Sequence, residues 1–218
     1  MIVTVDAVLL TLHEQALKVV LHARPKSAKE PFPGMLALPG GYVHEDSDED
    51  SNETVVRTLL RKTGIVSPYL EQLYTFTGRE RDPRDWSCSI AYYALVNCDE
   101  LLESAKGVEL YPVDDLPEMA FDHNKIVDYA VSRVRNKSNY SPLPCFLLPK
   151  QFTLTELQRT YELVLQKKEQ KPNFRRKMQD EWQIVEEVPG VFKKVRGPEA
   201  QVYRLKPERA LEVFERGI

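Results

Sequence analysis

The fold is decided by residues 37–65, which read ALPGGYVHEDSDEDSNETVVRTLLRKTGI. A short apolar segment with two glycines precedes an acidic loop at 45–50, and the apolar spacing after the loop predicts a helix over 51–62. Asp50, with a glutamate three residues later, predicts the N-terminal cap of this helix, and Gly64 predicts its end. The apolar stripe of the helix consists of Val55, Val56, Leu59 and Leu60.

The sequence on either side of this segment alternates between strand and helix patterns. Runs rich in β-branched and aromatic residues predict strands, and a second helical pattern follows them. The predicted strands cover 2–11, 17–23, 69–77 and 87–97, and the second helix covers 122–135. We therefore expect a mixed α/β domain whose strands pair in a largely antiparallel or mixed sheet.

The order of strand, Pro39-Gly40-Gly41, acidic loop and helix ending in Thr63-Gly64-Ile65 resembles the Nudix hydrolase domain. The Nudix box is written G-x5-E-x7-R-E-U-x-E-E-x-G-U, where U is apolar. Its glycine departs here, because Val43 stands at the strict spacing and Gly41 lies two residues early. Aligned on Arg57, the sequence keeps Glu49, Arg57, Leu59, Gly64 and Ile65.

The glutamate positions of the box hold Thr58, Arg61 and Lys62. The resemblance implies that working members use these glutamates to hold divalent cations, and Mg²⁺ requires anionic oxygen ligands. A threonine hydroxyl is neutral, and a guanidinium or ammonium repels a cation by ~4 kcal/mol per unit charge at 4 Å and an effective dielectric of ~20. We therefore predict no metal site, no catalytic residue and no enzymatic activity.

Two alternatives remain open for this segment. The helix could be an ordinary amphipathic helix with solvated basic residues, in which case the match to the box is chance. The chain could also be a hydrolase of ADP-ribose-type substrates that uses displaced metal ligands. Those ligands would come from the acidic run Glu45, Asp46, Asp48, Glu49, Asp50 and Glu53.

The loss of a metal does not imply the loss of a nucleotide pocket. Guanidinium groups pair with phosphate oxygens, and polar loops between strands commonly carry binding groups. Aromatic side chains that could stack on a purine are Phe32, Phe76, Trp86 and Tyr92. The predicted ligand-binding set is Arg24, Gly40, Gly41, Arg57, Phe76, Arg79, Arg81, Arg84 and His123, and each member alone could equally be an ordinary core or surface residue.

A polar, proline-punctuated stretch at 136–144 marks the domain boundary, because proline continues neither a helix nor a sheet ladder. We predict one domain over 1–142 and a second over 143–218. The charge is also unevenly distributed. Residues 1–145 carry 15 basic and 22 acidic groups, whereas residues 146–218 carry 15 basic and 11 acidic groups. A basic C-terminal part favours a nucleic-acid partner, although random variation in surface charge would give the same asymmetry.

The basic part has the pattern of a winged helix-turn-helix. Thr153 with Glu156 forms a predicted capping box for a first helix that ends near Gln166, and a polar turn leads to a second helix over 172–182. A strand over 183–188 and a hairpin formed by 191–195 and 200–205 would make the wing. The alternative is a helical protein-interaction domain with a solvated basic face.

Basic and amide side chains on the second helix are expected to enter the DNA major groove, while cations of the wing contact phosphates. Hydroxyls at the start of the first helix are expected to contact the DNA backbone. The predicted DNA-binding set is Thr153, Thr155, Asn173, Arg175, Arg176, Lys177, Lys193, Lys194 and Arg196.

Taken together, a metal-stripped Nudix-like mixed-sheet α/β/α domain and a small winged-helix domain resemble the Nudix-related transcriptional regulators of bacterial NAD metabolism, the NrtR family. The sequence runs that carry this resemblance are 121–123, 152–157 and 173–177. The resemblance implies a homodimeric repressor that binds a palindromic operator of NAD metabolism genes. It also implies that ADP-ribose, or a related nucleotide diphosphate, is the effector that releases DNA. A ligand-sensing adaptor that binds protein is the alternative.

The composition excludes several other classes of protein. Of 218 residues, 42% are hydrophobic and 29% are charged, which excludes a wholly disordered or collagen-like chain. No apolar run approaches the ~18 residues of a membrane helix, and the amino terminus lacks the basic start of a secretory signal. Cys88, Cys98 and Cys145 form no Cys-x-x-Cys pair, so we expect neither disulfides nor zinc. We expect a protein of the reducing cytoplasm with no membrane partner.

Overall fold

The computed structural model describes residues 1–105, 107–194, 198–215 and 217–218. The chain forms two compact units, residues 1–131 and 132–218, and each is described by itself. The division lies inside the helix His123–Ser138, before the boundary expected at 142, and this helix continues three residues past its predicted end. Within the described ranges, no helix is both long and apolar enough to span a bilayer.

A mixed sheet forms the centre of the first unit. Its strands are β1 (Ile2–His13), β2 (Ala16–Ala23), β3 (Leu36–Ala37), β4 (Gly40–Tyr42), β5 (Tyr69–Gly78), β6 (Ser87–Leu95) and β7 (Glu109–Pro112). The main path runs β3-β2-β1-β6-β5, with β4 paired to β1 and β7 paired to β2. Strands β1 and β6 are parallel, and the other pairs are antiparallel. The predicted mixed pairing is therefore confirmed.

The helices of the first unit are α1 (Ser51–Thr63), α2 (Cys98–Ser104) and the first part of α3 (His123–Ser138), whose last residues belong to the second unit. The predicted cap of α1 is confirmed, because the Asp50 side chain accepts a hydrogen bond from the Glu53 amide. Gly64 ends the helix at φ 75°, a conformation that glycine adopts without strain. The sequence did not reveal β3, β4, α2 or β7, which are too short to show a period.

The core of the first unit lies between α1 and the sheet. Val5, Leu9, Val55 and Leu59 are at most 2% exposed and belong to one cluster. Removing such side chains from water stabilises the fold by roughly 1.5–3 kcal/mol each. The packing fixes the orientation of α1, so the residues that follow Leu59 in its last turn are held at the end of the sheet.

The second unit is a small helical core against a three-stranded sheet. It contains α4 (Leu154–Leu165), α5 (Lys171–Arg176) followed by a π-helical turn (Lys177–Glu181), β8 (Phe152–Thr153), β9 (Val185–Lys194) and β10 (Glu199–Leu205). Short 3-10 turns occupy Leu143–Leu147 and Pro207–Arg209. The strand order is β8-β10-β9, with antiparallel pairing. The buried side chains of this core include Leu157, Tyr161, Phe174, Met178 and Trp182.

The structure settles two local expectations in the second unit. The capping box of α4 is confirmed, because the Thr153 side chain and the Glu156 side chain each bond the other residue's backbone amide. The helix predicted over 172–182 is confirmed, but its second half is π-helical, because the Trp182 amide bonds the Lys177 carbonyl five residues back. The residue Val195 of the predicted hairpin lies outside the described residues.

The two strands predicted over 183–188 and 191–195 are one strand, β9. The expected break at Pro189-Gly190 does not end the strand, although Gly190 has φ 72°. The Gln201 side chain donates hydrogen bonds to the carbonyls of Val188 (2.9 Å) and Val191 (3.3 Å), the residues on either side of Pro189-Gly190. The Gln201 side-chain amide on β10 thus satisfies carbonyls of β9 where the regular pairing of the two strands is interrupted. This contact joins two strands, so the sequence pattern of one strand does not reveal it.

Candidate effector site and nucleic-acid interface

The first unit contains an open cavity of about 310 Å³ at one end of the sheet. Strands β1, β2 and β4, the last turn of α1, the loop before β6 and the start of α3 contribute to its wall. Among the residues that line it are Asp6, Arg24, Gly40, Gly41, Tyr42, Arg61, Lys62, Arg81, Arg84, Phe121 and His123.

A buried polar cluster around Asp6 forms the floor of the cavity. Ser89 donates a hydrogen bond to Asp6 Oδ2 at 2.6 Å, and His123 Nε2 lies 3.5 Å from Asp6 Oδ1. The backbone amide of Leu38 donates to His123 Nδ1 at 3.0 Å, so a neutral ring carries its proton on Nε2, facing Asp6. Burial lowers the pKa of His123 more than Asp6 raises it. The ring is therefore neutral at physiological pH.

Three arginines of the cavity are held by acidic side chains. Arg81 donates from Nε and Nη2 to the two carboxylate oxygens of Asp122, at 2.9 and 2.8 Å. Arg84 makes the same type of bidentate pair with Asp82, and Arg24 lies 3.2 Å from Glu30. Burial raises the pKa of Asp82, but the hydrogen bonds from Arg84 lower it by more than burial raises it. The carboxylate therefore stays ionised. These cations are positioned but largely neutralised.

Arg61 and Lys62, in the last turn of α1, differ from those arginines. Over the ranges that the structure describes, neither side chain has an ion pair or a hydrogen-bond partner. Burial lowers the pKa of the half-buried Lys62, and the nearby Arg61 and Arg24 lower it further. The cavity therefore holds two positive charges that have no counter-ion among the described residues, which favours an anionic ligand.

The backbone of β4 approaches α1 closely beside these cations. A Cβ atom at Gly41 would lie 3.0 Å from Thr58 Oγ1 and 3.8 Å from Arg61 Nη2. The Thr58 hydroxyl is buried and has no hydrogen-bond partner among the described residues. A side chain at position 41 would therefore force Thr58 to shift, and the glutamate position directly after Arg57 in the Nudix box offers one neutral oxygen.

The acidic loop before α1 serves local structure. Asp48 accepts bidentate hydrogen bonds from Arg57 at 2.8 and 2.6 Å, and these bonds hold the pKa of Asp48 far below its usual value. Asp50 caps α1, and Glu53 accepts a hydrogen bond from the Glu49 amide. Over the described ranges, no group of three His, Cys, Asp or Glu residues is arranged to hold a metal ion.

Six members of the predicted ligand-binding set come together in the cavity: Arg24, Gly40, Gly41, Arg81, Arg84 and His123. Among the described residues, Arg57, Phe76 and Arg79 are not part of its wall, which corrects their expected role. Arg57 is turned to Asp48, Phe76 packs against Tyr74 and Tyr129, and Arg79 is exposed. Sequence reasoning missed Arg61, Lys62, Tyr42 and Phe121 as cavity residues, although it had already placed the first two at the metal-facing positions of the box.

Phe121 lines the cavity and packs against a second phenylalanine, Phe32. The rings of Phe32 and Phe121 meet edge to face at 4.9 Å, and the Arg24 guanidinium lies 4.8 Å from the Phe121 ring centroid. Both phenylalanines have positive φ, 54° and 58°, a conformation that costs energy in non-glycine residues and clusters at ligand sites. Among the expected purine-stacking residues, Tyr92 is buried and bonded to Ser51, and Trp86 is 38% exposed.

In the second unit, α5 and the π-helical turn form what we call the recognition helix, residues 171–181. Asn173 and Arg176 are exposed on it, and Arg175 is half-buried. Arg176 Nε lies 3.2 Å from Glu181 of the same helix. Thr155 on α4 and Lys194 on β9 are also exposed. These five residues of the predicted DNA-binding set keep surfaces that a duplex can reach.

Three other members of the predicted DNA-binding set are engaged within the protein. Thr153 is 1% exposed, and its hydroxyl is used by the capping box, so it has no surface for DNA. Lys177 donates to the Gly217 carbonyl at 2.7 Å, and only 17% of its side chain is exposed. Lys193 pairs with Glu156. Arg196 lies outside the described residues.

Comparison with known proteins agrees with this architecture. The NUDIX domain model matches residues 2–130, and the model of the NrtR DNA-binding winged helix domain matches residues 144–205. A protein of Acinetobacter baylyi, described as ADPR responsive transcriptional repressor NtrR, is 37% identical over 210 residues, covering 93% of this chain and 81% of that protein.

Two solved structures of Shewanella oneidensis NrtR are also similar. The structure complexed with a 27mer DNA has a TM-score of 0.91 and 38% identity, covering all of both chains. The NUDIX domain complexed with ADP ribose has a TM-score of 0.53 and 41% identity, covering 62% of this chain and 88% of that one. The predicted fold class, a Nudix-like domain followed by a winged helix, is confirmed, and the chain belongs to the NrtR family.

Proposed function

We propose that this chain is a DNA-binding transcriptional repressor whose Nudix-like unit senses ADP-ribose and, once occupied, releases DNA. The relative of Acinetobacter baylyi is described as an ADP-ribose-responsive repressor, and the related Shewanella oneidensis protein has been solved with DNA and, as a NUDIX domain, with ADP ribose. NAD metabolism genes are the proposed targets, and the cytoplasm is the proposed compartment.

The observation that carries the proposal is the pair of cations Arg61 and Lys62 in the cavity of the first unit, which have no counter-ion within the part of the chain that the structure describes. ADP-ribose has an anionic oxygen on each of its two phosphates, so its diphosphate would neutralise both side chains. An aromatic ring, such as that of Phe121, offers a stacking surface beside them. The cavity thus supplies charge and a planar contact, the two features that a nucleotide diphosphate requires.

The same residues argue against hydrolysis. A divalent cation needs anionic oxygens, and the box offers Arg61, Lys62 and a single buried threonine hydroxyl at the corresponding positions. The acidic loop does not supply replacements, because Asp48 and Asp50 are committed to Arg57 and to the cap of α1. The residues therefore do not fit a catalytic metal, and the proposed role of the cavity is to bind ADP-ribose without cleaving it.

On the DNA side, the recognition helix would enter the major groove with Asn173, Arg176 and Arg175, while Lys194 would contact phosphate. Thr155 would contact the backbone at the start of α4. A homodimer would place two recognition helices about one DNA turn apart, roughly 34 Å, on a palindromic operator. ADP-ribose would release DNA by binding more tightly to a dimer geometry whose helix spacing does not fit the operator. The extent of release is set by the difference between its affinities for the two geometries.

A gel-shift titration tests the proposal. The full chain is incubated with a palindromic operator duplex, and ADP-ribose, NAD and nicotinamide mononucleotide are added separately. We expect salt-dependent binding that ADP-ribose abolishes and the other two leave intact. Incubation of ADP-ribose with protein and Mg²⁺ should yield no cleavage products. Steady turnover, or a failure to bind any duplex, would overturn the proposal.

A further inference from the structure

A segment after β10 packs along the recognition helix, and its described residues form one 3-10 turn and no other helix or strand. We call residues 206–215 and 217–218 the strap. Its Phe214 and Ile218 side chains pack on the core cluster of the second unit, whereas Leu211 and Val213 are 77% and 63% exposed. The strap thus has an inward side with defined contacts and an outward side in solvent.

The strap contacts the recognition helix and the residue that follows it. The rings of Phe214 and Trp182 stack with centroids 4.5 Å apart and planes 11° apart, and Trp182 is only 3% exposed. One turn earlier, Lys177 donates its ammonium proton to the Gly217 carbonyl at 2.7 Å and lies 5.6 Å from the Trp182 ring. These contacts restrain the second half of the recognition helix at two successive turns.

The other side of the strap is bonded to the backbone directly after α3. The Phe214 amide donates to the Tyr140 carbonyl, and the Ile218 amide donates to the Asn139 carbonyl, both at 2.8 Å. A Cβ atom at Gly217 would lie 3.0 Å from that Asn139 oxygen, so the approach requires glycine. The strap therefore ties the recognition helix to a separate part of the same unit.

The recognition helix needs such support because it is short and irregular. It has six α-helical residues and then changes to π-helical hydrogen bonding, and short helices are marginal without tertiary contacts. Of its groove-facing residues, Arg176 directly precedes the part that the strap restrains, and Asn173 lies about one turn before it.

We propose that the strap is a positioning element for DNA recognition, with Phe214 as its positioning residue. This inference rests on the proposed DNA-binding function. Phe214 itself touches no DNA in this account. It fixes Trp182 and thereby the angle at which the recognition helix presents its polar face to base edges.

The test compares Phe214→Ala with Val213→Ala, a neighbouring substitution on the exposed side. Operator and random duplexes are titrated at the same salt concentration. We expect Phe214→Ala to lose about ten-fold in operator affinity, with random-duplex affinity within two-fold of the parent. Phe214→Tyr should restore the operator affinity, and Val213→Ala should match the parent.

Gly217→Ala provides a second perturbation that alters the strap without changing Trp182 or a groove-facing residue. We expect the same selective loss of operator affinity and faster amide hydrogen exchange over residues 177–182. If the parent binds no duplex, the proposed DNA-binding function fails. If the parent binds its operator and both Phe214→Ala and Gly217→Ala bind it equally well or more tightly, only the strap proposal fails.

Discussion

Replacing Lys62 with methionine should weaken ADP-ribose binding about ten- to hundred-fold. The substitution keeps most of the length of the side chain and removes its charge. In the structure, the ammonium group lies in the cavity wall, is half-buried and has no partner within the described ranges. A diphosphate would therefore be its first counter-ion, and the substitution breaks no internal ion pair.

The magnitude follows from opposing contributions. Two unit charges at about 4 Å and an effective dielectric of about 20 attract by about 4 kcal/mol. Burial opposes the charge, as the lowered pKa of Lys62 shows, so part of this attraction is lost to desolvation. Charge-assisted hydrogen bonds contribute about 1.5–3 kcal/mol net, and about 1.4 kcal/mol corresponds to a factor of ten in affinity.

Isothermal titration calorimetry of ADP-ribose measures the effect, with Lys29→Met as the matched control, because Lys29 is exposed and lies outside the cavity wall. The parent affinity should also fall at alkaline pH, as Lys62 loses its proton below the usual range of a lysine. Lys62→Met should not show this contribution. Affinity of Lys62→Met within two-fold of the parent would refute the placement of the diphosphate at the end of α1.

Three further predictions concern recognition and stability. Arg176→Ala should weaken operator binding by about 1–3 kcal/mol and relax sequence preference, whereas Lys194→Ala should weaken all duplexes alike and reduce the salt dependence; equal losses on both duplexes for Arg176→Ala would contradict the assignment. Thr153→Ala removes the cap of α4 and should lower the free energy of unfolding by about 1 kcal/mol in a urea titration, without changing the salt dependence of DNA binding. Because burial lowers the pKa of His123 from 6.5, the unfolded chain takes up its proton first on acidification. The free energy of unfolding should therefore fall as the pH is lowered through 6.5, and a His123→Asn variant with an unchanged slope would show that another group is responsible.

The sequence by itself determined the architecture and the character of the box. Helix α1, with its Asp50 cap and Gly64 stop, and the Thr153–Glu156 capping box are local features, because a cap is formed by residues within one turn of each other. The replacement of glutamates by Thr58, Arg61 and Lys62 is likewise visible in the sequence and is a matter of charge.

Only the tertiary structure decided which of the candidate side chains are available. Arg57 and Arg61 are both arginines of α1, yet Arg57 is bonded to Asp48 and Arg61 is free to meet a ligand within the described part of the chain. Similarly, helical spacing predicts that Lys177 faces DNA, but its ammonium group donates a hydrogen bond to a carbonyl 40 residues later in the chain. Side-chain type fixes what a residue can bind, whereas its actual partner is set by long-range contacts that no local pattern encodes.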